Sequence, residues 1–153
     1  MEKLRVDSGI KVIEVNDAGD TISFSISDAS FFSKFADIIK FFESKRKEIS
    51  QNSENFTSID ADEDEESNAD NIIRIAKEYS DLCSDTCRKL DNLFGEGCCK
   101  KVFIGIDNPG IDLIRDFFEV ITPIMKKFAD ERNAKIQLKY NNRRKGGRKG
   151  AGR

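Results

Sequence analysis

Apolar residues recur at every third or fourth position along three stretches of the chain, the spacing that turns one face of an α-helix toward a core. No other feature of the sequence limits the fold as much. The first stretch follows three candidate N-caps, Ser27, Asp28 and Ser30, whose side-chain oxygens can accept backbone amide hydrogens. It carries Phe31, Phe32, Phe35, Ile38, Ile39, Phe41 and Phe42 and predicts a helix over about 29–49. The second carries Ile72, Ile75, Ala76, Tyr79, Leu82 or Cys83, Thr86 or Cys87, Leu90 and Phe94. It predicts a helix over about 68–93, stopped by Gly95 and Gly97. The third begins after Pro109 and carries Ile111, Leu113, Ile114, Phe117, Phe118, Ile121, Ile124, Met125 and Phe128. Pro123 lies inside it and predicts a kink, because proline lacks an amide hydrogen and clashes with the preceding turn.

The residues before the first helix have a different period. Val6, Ile10, Val12, Ile13 and Val15 are apolar and largely β-branched, 16–20 is a turn cluster, and Ile22, Phe24 and Ile26 alternate with polar residues. That pattern predicts a β-hairpin. Val102, Phe103, Ile104 and Ile106, between Gly97 and the Asn108-Pro109-Gly110 breaker, form a run too short to separate a strand from a brief helical turn.

A chain of 153 residues is of single-domain size, and its core must be built largely from aromatic rings: there are 12 Phe, two Tyr and no Trp. The small net charge of -2 hides two opposite blocks. Residues 54–70 carry eight acids and no base, and residues 135–153 carry eight bases and no acid. Like charges repel, and few apolar residues are present to offset the entropy of ordering them. The expected architecture is therefore α+β and helix-dominated: one domain over 1–140 with an N-terminal hairpin, three main helices and a flexible acidic insertion at 50–68, then a disordered basic tail at 141–153. No stretch is apolar for long enough to cross a membrane, and the charged N-terminus lacks a secretory core. Reduced thiols in a cytosol are the expected state of Cys83, Cys87, Cys98 and Cys99.

Little in the sequence offers catalysis. The chain has no His, which removes the commonest general base and the imidazole metal ligand. Gly95-Glu96-Gly97 lacks the third glycine of a dinucleotide loop, and no Gly-Lys-Ser/Thr occurs. Four cysteines could surround a zinc ion, but adjacent Cys98 and Cys99 do not have the knuckle spacing of structural zinc sites. Cys83 and Cys87 instead fit the apolar stripe as small hydrophobes. The acidic run 60–66 lacks the central glycine and terminal glutamate of a calcium loop. No catalytic residue, metal or cofactor is expected. The basic end has the charge to bind nucleic acid but only Tyr140 for stacking, so a solvated tail is the simpler reading. Partner binding is left as the main expectation. Adjacent helical residues cannot face the same way, so the pairs Phe31-Phe32, Phe41-Phe42 and Phe117-Phe118 are expected to supply core on one side and partner contact on the other. Arg143, Arg144, Lys145, Arg148 and Lys149 are candidates for charged contacts.

Three segments carry a resemblance: Glu14 to Phe32 (EVNDAGDTISFSISDASFF), Leu90 to Phe103 (LDNLFGEGCCKKVF) and Phe117 to Ile124 (FFEVITPI) with a Lys/Arg/Asn-rich end. Together they resemble the tail assembly chaperones of siphophages and prophages of Gram-positive bacteria. The resemblance implies a non-enzymatic factor of the host cytoplasm, absent from the mature virion. Its implied partners are the tape measure protein and tail tube subunits, and a homo-oligomer is compatible with it. Neither a membrane nor nucleic acid is an implied partner. In that family a longer product often arises by ribosomal frameshifting. The alternative is a small phage-encoded inhibitor or nucleic-acid-binding accessory protein.

Overall fold

In the computed structural model the chain is described over residues 1–59 and 65–151, with side chains for 1–53 and 68–142. Two antiparallel strands, β1 (Ile10–Glu14) and β2 (Thr21–Ser25), precede four helices: α1 (Phe31–Ile59), α2 (Glu65–Phe94), the short α3 (Cys98–Val102) and α4 (Ile111–Ala151). This is the expected helix-dominated α+β fold. The expected strand or helical turn near Val102 is resolved as the helical turn α3, and the chain bends again where the Ile106 amide donates to the Phe103 carbonyl.

The hairpin register pairs Lys11 with Phe24 and Ile13 with Ile22. Alternation then buries Ile22 and Phe24 while Ile10 and Val12 face water. Asn16 holds the turn. Its side-chain amide donates to the Asp20 carboxylate at 2.8 Å and to the Lys101 carbonyl at 2.9 Å, so the same residue closes the hairpin and fixes it to α3. At the other end, the Lys11 ammonium pairs with Glu131 of α4 at 2.8 Å. Among the candidate caps, Asp28 accepts the amide and hydroxyl hydrogens of Ser30, and the Ser30 carbonyl accepts the first helical bond of α1 from Lys34.

The core is a chain of phenyl rings. Phe24 stacks on Phe31 with centroids 4.7 Å apart, and Phe94 meets Phe24, Phe31, Phe35 and Phe117 edge to face. Phe118 continues the chain to Phe35 and Phe42. Quadrupoles favour these edge-on and offset geometries over face-centred ones. Leu90 and Ile114 fill the interior beside the rings. The one buried polar side chain among the described residues, Thr86, donates its hydroxyl to the Leu82 carbonyl at 2.8 Å.

Three boundaries differ from expectation. α1 continues ten residues beyond Ile49, and α2 begins three residues before Asn68. Polarity and acidity suggest a connection over 50–68, but no Gly or Pro lies between Gly19 and Gly95, so nothing local stops helix propagation once packing has started it. Residues 60–64, the middle of the predicted acidic insertion, lie outside the described residues. α4 is helical to Ala151, well into the segment predicted to be a disordered tail. After Pro123 the chain has no further proline, and Lys, Arg, Gln and Ala are strong helix formers. α4 runs through Pro123 without a break. Beside it the Thr122 hydroxyl donates to the Phe118 carbonyl at 2.6 Å.

The core and its surface make a test pair. Phe42 is 0% exposed and Val120 is 68% exposed. Phe42→Ala should destabilise the fold by about 3–5 kcal/mol, and Val120→Ser by less than about 0.5 kcal/mol, both read by urea denaturation followed by circular dichroism.

Candidate functional site

Beside the phenyl core, the hairpin does not fully cover α4. Ile13, Val15 and Ile22 of the hairpin, Val102 and Phe103 at the end of α3, and Leu113, Phe117, Val120, Ile121 and Ile124 of α4 line an open groove of about 310 Å³. It runs on past Val15, Val102, Phe103 and Leu113 into a shallower depression flanked by Ile104 and Ile106. Two ties bound it: Asn16 to Lys101 at one end and Lys11 to Glu131 at the other.

Its composition is one-sided. The walls are almost wholly aliphatic and aromatic, and the charged residues lining the two parts are Glu14, Asp116 and Asp17. No Lys or Arg lines either part. Such a surface is chiefly hydrocarbon with a few carboxylates. It can remove an apolar stripe from water and attract a positive flank.

The groove arises because α4 has two apolar stripes. Ile114, Phe118, Ile121 and Met125 are buried. Leu113, Phe117, Val120 and Ile124 lie one position away and form the groove wall. The phenylalanine pairs differ in burial: Phe31, Phe42 and Phe118 are buried, and Phe32, Phe41 and Phe117 are half-buried against the core. As partner contacts, Phe31, Phe42 and Phe118 are corrected to core residues, since a partner could reach them only if the core unfolded. Phe41 lies under the Lys89 ammonium, 4.6 Å from the ring centroid. Of the six, Phe117 reaches the groove. The side chains of Arg143, Arg144, Lys145, Arg148 and Lys149 lie outside the described residues. Val15, Val102, Val120 and Ile124 are groove residues that the sequence does not mark as such. The available signal is the breadth of the apolar face on the third long helix, wider than one packed side uses.

Cys87, Cys98 and Cys99 belong to the contact between α2 and α3, and Cys83 lies one turn before Cys87 on α2. Cys83, Cys98 and Cys99 are buried and Cys87 is half-buried. The Cys99 amide donates to the Asp91 carboxylate at 3.0 Å, and its thiol points to the Cys87 carbonyl at 3.6 Å. Burial pushes the Cys83 thiol up to about 11. Cys99 is raised by its hydrogen bonds to Cys87 and Cys98 and by burial, while the bond from Cys99 lowers Cys87. Among the described residues no group of three His, Cys, Asp or Glu is placed to hold a metal ion. At pH about 8 iodoacetamide should therefore alkylate Cys87 first, because the thiolate is the reactive form. Cys83 and Cys99 should react only in denaturant. Peptide mass spectrometry after timed quenching reads the order, and equal rates at Cys83 and Cys87 would contradict it.

No helix among the described residues is long and apolar enough to cross a membrane. No curated protein and no solved structure matches the chain. A family model does match, over residues 18–151, which takes in the fold from the hairpin turn to the end of α4. The chain belongs to that family, the family of unknown function DUF6673.

Proposed function

We propose that this protein is a phage tail assembly chaperone, acting in the host cytoplasm by holding apolar helical segments of the tape measure protein and presenting them for tail tube subunits to assemble around. The observation that carries the reading is the groove: open, apolar, rimmed by Glu14, Asp17 and Asp116, and without a basic residue in its lining. A long client made of amphipathic helices exposes apolar seams that aggregate when nothing covers them. Helix-in-groove binding needs anchors at successive turns and a hydrophobic trough to receive them. The wall formed by Leu113, Phe117, Val120 and Ile124 repeats at that spacing. The lack of His and of a phosphate-binding loop in the sequence supports a binding role over an enzymatic one, and the resemblance to tail assembly chaperones supplies the class of client.

The test is co-expression with the tape measure and tube proteins of the same gene cluster. The full chain should bring the tape measure protein into the soluble fraction, and Val120→Glu should abolish most of that rescue while the variant itself stays soluble and helical. A client that remains insoluble with every form, together with purified chain that binds duplex DNA with a steep salt dependence, would replace this reading with the nucleic-acid one.

A further inference from the structure

The core-facing stripe of α4 does not end where the core ends. Ile114, Phe118, Ile121 and Met125 are buried, and the same helical spacing leads through Arg132 to Ile136 and Tyr140. Those two are 53% and 63% exposed. The body of the fold stops near Glu131 and Lys135, which pair with Lys11 and Asp7. Beyond that point α4 projects with apolar side chains bare. From Arg132 to the last residue the sequence has nine bases and no acid.

The groove has the complementary character, apolar with Glu14, Asp17 and Asp116 at its edge and no base in its lining. One chain cannot join the two. Val120 in the groove wall and Ile136 on the projecting end are 16 residues apart on one continuous helix, a separation of about 24 Å at the helical rise. We infer that the groove receives the basic C-terminal half of α4 from a second copy of this chain, with Ile136 and Tyr140 as anchors, and that two copies exchange these ends to form a dimer. Exchange uses the same two surfaces on each protomer, as an isologous two-fold contact requires. The dimer would keep the groove covered until a client helix displaces the partner's α4. This regulatory role rests on the chaperone reading, but self-association is measured on the purified chain alone, so either can fail without the other.

Sedimentation velocity of the full chain over a range of concentrations tests the contact. Dimer is expected at tens of micromolar, shifting toward monomer as salt is raised, because the paired charges are screened. Two variants separate the surfaces: Val120→Glu in the groove and Ile136→Glu/Tyr140→Glu on the end. Each alone should dimerise at least tenfold more weakly, with circular dichroism unchanged. Mixed together they should form a heterodimer more readily than either forms a homodimer, because the intact end of the first fits the intact groove of the second. A wild-type chain that is monomeric at every concentration would overturn the proposal. So would a dimer that neither variant weakens, or a mixture that shows no gain.

Discussion

The contact on which the other elements depend is the set of rings around Phe94. This side chain closes α2 and meets Phe24 of β2, Phe31 and Phe35 of α1 and Phe117 of α4. One residue thus holds the hairpin, the first helix and the last helix to the second. Its position also forces a sharp exit, because the chain must leave α2 at once without extending through the cluster. Gly95 and Gly97 allow this, at φ of 108° and 83°, where side-chain-bearing residues are disfavoured. The Gly95 amide still donates to the Asp91 carbonyl, and the Asp91 carboxylate accepts the Cys99 amide, so α3 is bound to the end of α2 from both sides of the turn.

With those contacts fixed, the groove results from the size of the remaining parts. A two-stranded ribbon is narrow, and α3 spans five residues. Neither can cover the full breadth of α4. The inward strand residues Ile13, Ile22 and Phe24 cover the stripe nearest the core. The second stripe, with Val120 at its edge, is left to solvent. Lys11 also contributes, since its ammonium reaches both Glu131 and the Phe128 ring, 5.2 Å from the centroid, and holds β1 along α4 without closing over it. The pair is half-buried, still screened by solvent, and contributes little energy by itself. Its effect is positional.

Much of this is legible in the sequence wherever periodicity is strong. The hairpin, its turn at 16–20 and the three long helices come from counting apolar positions, and Gly95 and Pro109 mark breaks that the chain obeys. Charge is a poor guide to where helices end. A run of acids or bases suggests an unstructured segment, yet neither sign forbids helical dihedrals, and only Gly, Pro or a competing cap stops propagation locally. Thus α1 passes Ile49 and α4 passes Asn141. The site is less legible for a different reason. A groove is a property of three elements at once, and Val15, Val102 and Val120 look ordinary in their own segments. The phenylalanines stand out because they are large, and most are required by the core for the same reason.

The placement of charge along α4 connects stability with recognition. Lysine is a strong helix former, and Lys135 pairs with Asp7 of the same chain, so bases on the distal part of α4 have local uses. The acids lie at the other end: Asp112 lies in the first turn of the same helix, where negative charge is favoured, and Asp116 one turn later borders the groove. A single helix therefore acquires opposite ends for local reasons, and those ends are complementary between copies. A client helix with basic flanks would meet the acidic rim on the same terms as a second α4. If both bind as proposed, occupancy of the groove would be decided by apolar anchors and concentration, since charge would attract both competitors alike and only the fit of side chains against Phe117, Val120 and Ile124 would distinguish them.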